Sequence, residues 1–81
     1  MPHWEFIWIA GSKGNVAHLA EHDVLPEEAE QVVKEPIAAD VSRTTGRPIA
    51  FGFTDAGRKL AVVYEEIDRV TVYVITAYEV E

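Results

Sequence analysis

His18 and His22 stand four residues apart, with Glu21 beside them, in the string HLAEH. On a helix this spacing puts both imidazoles on one face, as a zinc ion needs, and it sets a carboxylate where a general base would work. The pattern H-x-x-E-H is the inverted zinc-protease signature. A catalytic zinc also needs a third protein ligand, and the one remaining histidine is His3, in or just before an N-terminal strand. The helix that carries HLAEH is about two turns long and ends at His22, where helices fray. We therefore read His22 as a partner for the negative end of the helix dipole, and His18 as a surface or half-buried residue. Neither a metal nor another cofactor is expected.

The other side chains able to hold a phosphate or move a proton are few. The 81 residues contain seven Lys and Arg against fourteen Asp and Glu, for a net charge of −7. Phosphate recognition depends on cations that displace counterions, so this balance disfavours RNA and DNA as partners. The acids cluster at Glu27, Glu28, Glu30 and Glu35, and again at Glu65, Glu66 and Asp68. With no cysteine, disulfides and thiolate metal sites are excluded, which fits a reducing cytoplasm. The first nine residues lack a basic n-region, so no signal peptide is expected. No stretch reaches the ~20 apolar residues that a membrane span requires.

These residues must be positioned by a single small domain covering 1–81. A chain of this length buries about 60–65% of its unfolded surface. HWEFIWIA alternates, with Trp4, Phe6 and Trp8 on one side of a first strand. NVAHLAEH follows as a short helix capped by Asn15 or Ser12, and Asp23 suits the left-handed position beyond it. VLPEEAEQVVKEP forms a second helix, with Pro26 at its first position, Val24 stapled to Ala29, and Pro36 as its stop. Leu25 is a poor N-cap there.

Four strands are expected after the helices, at 37–43, 47–54, 58–65 and 69–79. TTGR and DAGR form the first two turns, with Gly46 and Gly57 at positive φ, and EEIDR forms the third. The fold class is α+β: a strand, two helices, then a four-stranded antiparallel meander in two layers. VTVYVITAY is apolar on both faces, which predicts cover on both sides or a homodimer. Alternate turns of a meander share one end of the sheet. Arg43 and Arg47 should then lie near Arg69, while Arg58 lies at the opposite end beside Tyr78 and Glu79.

Three stretches, NVAHLAEHDVLPEEAEQVVKEP, GRPIAFGFTDAGRKLAVVYE and VYVITAYEVE, resemble the BrnT-like family of small toxin-type proteins. The likeness is strongest to a short branch ending in an ITAYE-like string, and it spans nearly the whole chain. Its most specific pieces are EHDVLPEEAE and the set Gly57, Arg58, Leu60, Val62 and Val63. The family is similar to RelE-type toxins, so the resemblance implies a helical pair on an antiparallel sheet, metal-independent ribonuclease activity and a small antitoxin protein as partner. Carried onto this chain, it implies His22, Arg58 and Tyr64 as catalytic residues, with Arg47 and Tyr78 as substrate-binding residues. Such chemistry needs a group to activate the ribose 2′-hydroxyl, cations for the phosphate and a proton donor for the leaving oxygen. The chain departs from the pattern where cations matter. Tyr78, Glu79 and Glu81 replace basic residues at the C-terminal end, and Glu21 replaces a lysine. A non-catalytic interaction module is therefore expected ahead of a ribonuclease toxin.

Overall fold

The computed structural model describes residues 4–80. Seven elements follow one another: β1 (Glu5–Ile7), α1 (Asn15–Ala20), α2 (Pro26–Lys34), β2 (Ala38–Val41), β3 (Pro48–Phe53), β4 (Lys59–Glu66) and β5 (Thr71–Glu79). The last four form an antiparallel meander, as the turn residues predict. β1 joins the free side of β5 in parallel, giving a mixed sheet in the order β1-β5-β4-β3-β2. The α+β class and the order of elements thus match the sequence reading.

The two predicted glycine turns have the required backbone, with φ of 74° at Gly46 and 84° at Gly57. Asp23 takes φ of 59° after α1, also as expected. The helix start is different. Gly14 is the N-cap of α1, and no side chain caps it. Asn15 is instead buried, and its amide serves the sheet. Its Oδ1 accepts from the Ile9 N–H at 2.8 Å, while Nδ2 donates to the carbonyls of Ile7 at 2.8 Å and Val74 at 3.0 Å. β1 ends at Ile7, so β5 loses its ladder partner there, and the Asn15 amide takes over that role.

α2 starts at Leu25, which has no oxygen to cap with. Glu28, three residues into the helix, reaches back to accept from the Leu25 N–H at 3.0 Å, so half of a capping box forms. Val24, Ala29, Val32 and Val33 then pack with Leu19 onto Ala50, Leu60, Val62, Val72, Val74 and Ala77 of the sheet. Trp4, Phe6 and Trp8 lie against this core on one side of the first strand, as their alternation predicts. Trp8 donates from Nε1 to Glu30 at 2.6 Å, which ties the N-terminal segment to α2.

Both helices contribute to this one core, so the opposite face of the sheet has no helical layer. Between the Tyr64–Val74 and Val63–Thr76 pairs β5 carries one extra residue, Ile75. This bulge keeps Ala77 beside Val62 in the core.

The third turn is organised by Asp68, whose Oδ1 accepts from the N–H groups of Val70 and Thr71, both at 2.9 Å. The Val70 bond, then the Thr71 bonds, hold the Asp68 carboxyl below its ordinary pKa. A depressed folded pKa stabilises above the unfolded value of about 3.9 and is lost as pH falls through the folded one. Asp68→Asn should therefore flatten the acid limb of a stability profile. Urea midpoints measured below pH ~4 in both proteins check this, and an unchanged slope would remove Asp68 from the acid response.

Candidate functional site

One corner of the molecule gathers most of the residues singled out for chemistry. It is formed by the α1–α2 connection, the start of α2, the β3–β4 turn and the end of β5. Thr54 and Arg58 close the turn: the Thr54 N–H donates to the Arg58 carbonyl at 2.9 Å, and the Arg58 N–H donates to Thr54 Oγ1 at 3.2 Å. This fixes the backbone from which the Arg58 side chain leaves.

The guanidinium of Arg58 is already engaged. Nη1 lies 3.1 and 3.2 Å from the two Glu28 carboxylate oxygens and donates to the Asp23 carbonyl at 2.9 Å. Nε donates to Glu79 at 3.2 Å. Partial burial pulls the Arg58 pKa down, but Glu28 and Glu79 outweigh it and hold the group above its ordinary value. Arg58 is thus a cation at every working pH and bridges three segments of the fold. Topology alone placed Arg58 beside Glu79, and these bonds add Glu28 and the Asp23 carbonyl as its partners.

His22 and Tyr78 flank this cluster, with ring centroids 6.3 Å apart, and His18 packs edge-on to His22 at 5.9 Å. His22 lies just past α1, which closes at Ala20 with Glu21 as its cap. The corner therefore brings His22 beside Tyr78, each one residue from a partner of Arg58, Asp23 and Glu79, while along β5 Tyr78 and Glu79 face opposite sides of the sheet. It does not bring in Tyr64 or Arg47. Tyr64 sits six residues along β4 from Arg58, about 20 Å at the rise of a strand. There it packs against the core. Burial, then the nearby Glu66 carboxylate, raises the Tyr64 pKa, so its hydroxyl stays protonated at neutral pH. Arg47 pairs with Glu65 at 3.4 Å at the other end of β4, the end where meander topology places it.

Sequence reasoning grouped Glu28 with the clustered acids at the start of α2 and missed its bond to Arg58. Its position three residues into α2 signals the cap, but its bond to Arg58 spans thirty residues and has no local signature. Glu79 was placed beside Arg58 by topology, without the ion pair.

The HLAEH string ends close to the same corner. His18 Nδ1 lies 3.9 Å from Glu21, a contact on the surface of α1. Among the described residues no group of three or more His, Cys, Asp or Glu side chains could hold a metal ion. His3 lies outside the described residues. Beside the corner, a shallow cavity of about 280 Å³ is lined by Glu27, Glu28, Gln31, Thr54, Asp55 and Ala56. Its three carboxylates repel phosphate. Among the described residues no helix is long and apolar enough to cross a membrane. In comparisons with family models, with curated proteins and with solved structures, nothing matches the chain.

Proposed function

We propose that the chain is a non-catalytic interaction module of the BrnT and RelE toxin type, acting in the cytoplasm. The engagement of Arg58 carries this reading. A ribonuclease site of the expected kind needs a guanidinium that can receive a phosphate, and here Glu28, Glu79 and the Asp23 carbonyl occupy Nε and Nη1. Two carboxylates at the corner also oppose the charge that builds on a phosphate during transfer. A sheet with one bare face supplies the surface that an interaction module needs. The partner class is protein, with a small antitoxin-like chain or a second copy as the candidates.

A ribonuclease toxin remains the second reading, because His22 pairs with Tyr78 and both adjoin, one residue away in the chain, groups that bind Arg58. Inducible expression in a host, with growth and bulk mRNA followed together, separates the two. The module should leave both unchanged. Growth arrest with mRNA cleavage by the wild type, lost in Arg58→Ala while Arg43→Ala keeps it, would establish the ribonuclease instead.

A further inference from the structure

The sheet face away from the helices carries a continuous apolar surface. Strand register places Ile7 beside Tyr73, Thr76 beside Val63 and Ile49, and Tyr78 beside Ala61 and Phe51. Phe53 extends the patch at 51% exposure, next to Lys59. Tyr73, Val63, Ile49 and Phe51 are only half-buried; Tyr73 borders α1 at a shallow cavity that it shares with Asn15 and His18, and the helix residues of the core lie on the other side of the sheet.

We infer that this face docks a second copy of the chain, with the two β4 strands running antiparallel across a two-fold axis. The inference rests on the interaction-module reading and names its partner. Charge decides both the occupant and the arrangement. Lys59 and Glu65 share this face at opposite ends of β4. None of the ion pairs among the described residues uses Lys59, whereas Glu65 already pairs with Arg47 of its own chain at 3.4 Å, so Lys59 of the second copy would join that pair. An antiparallel two-fold arrangement sets each Lys59 over Glu65 of the other copy, twice per dimer. A parallel arrangement would stack like charges on each other. An isologous interface of this kind requires a self-complementary patch, and one strand with opposite charges at its two ends provides it. The acidic residues of α2 lie on the far layer, and the acids that register places on this face, Glu5, Asp40 and Glu65, lie away from the Lys59 end, so the antiparallel arrangement also keeps them from facing each other.

The area fits a weak dimer. Five strands at about 4.8 Å span about 24 Å, and six residues at ~3.3 Å run about 20 Å. That projects to about 480 Å² per copy, so the pair reaches the ~1,000 Å² expected of a specific contact and falls short of the ~1,600 Å² of a standard one. Association should therefore set in at micromolar concentrations.

Sedimentation velocity on the full chain across the micromolar range tests the proposal. The wild type should shift from monomer to dimer as concentration rises. Val63→Lys, which places a charge at the centre of the face, should stay monomeric with an unchanged circular dichroism spectrum. Lys59→Glu and Glu65→Lys should each weaken the dimer about tenfold or more, and the double exchange should restore it. If both single exchanges leave association unchanged, the antiparallel arrangement is wrong. A wild type that stays monomeric throughout, with no mRNA cleavage in the host assay, would overturn docking of a second copy while leaving the module reading in place. Cleavage by the wild type would strike the module reading itself, whatever the sedimentation result.

Discussion

Asn15→Ala should remove about 2–4 kcal/mol of stability, the largest loss expected from any single polar substitution in the described residues. Three backbone groups depend on that one amide: the Ile9 N–H and the carbonyls of Ile7 and Val74. Asn15 is 3% exposed, so water cannot replace the missing partner without opening the structure. A buried group left unpaired costs about 1–3 kcal/mol, and part of this is recovered as the loop relaxes. Small domains have only about 5–15 kcal/mol in total, so the change is a large share. Urea unfolding followed by circular dichroism measures it. Asn15→Asp serves as the companion: it keeps an acceptor for Ile9 but sets a carboxylate against two carbonyls, so it should be no better than alanine at neutral pH. A loss near zero for both would show that the β1–β5 junction does not depend on this side chain.

Gly14→Ala should damage the same junction by steric means. A Cβ at Gly14 would sit 2.0 Å from the Ile9 carbonyl oxygen and 2.7 Å from its carbon. Both atoms are backbone, so no side chain can swing aside, and the 9–14 loop itself must move. Overpacking of this kind costs about 1–3 kcal/mol, and a rigid backbone neighbour puts the case at the upper end. The φ of Gly14 is −83°, so backbone strain in the glycine is not the cause. Gly46 separates the two effects, because it has open space around its Cβ position and a φ of 74°. Gly46→Ala should cost only the ~1 kcal/mol of a left-handed residue. Equal midpoints for Gly14→Ala and Gly46→Ala would show that the loop yields freely.

The meander was legible because its signals are local. The glycines of TTGR and DAGR set two turns, and in the first strand the alternation of Trp4, Phe6 and Trp8 set the side that meets the core. Arg58 was placed beside Glu79, and Arg47 at the opposite end, by counting turns alone. Helix signals were weaker. Asn15 has the chemistry of an N-cap, and nothing in its neighbours reveals that Val74, fifty-nine residues on, competes for its amide. Tyr64 was grouped with His22 and Arg58 by resemblance, and the length of β4 keeps it apart from them.

By itself the sequence determined the class, the order of elements, the turns and the core-facing side of the first strand, because hydrophobic period and turn chemistry act over a few residues. The tertiary structure alone decided what the charged residues do. Whether Arg58 is open to a phosphate or closed by Glu28 and Glu79 depends on three segments meeting at one corner. Whether β5 is covered on one face or two depends on where both helices settle, and they settle together on one side. Such outcomes come from long-range packing among residues twenty to sixty positions apart, and no local pattern encodes them.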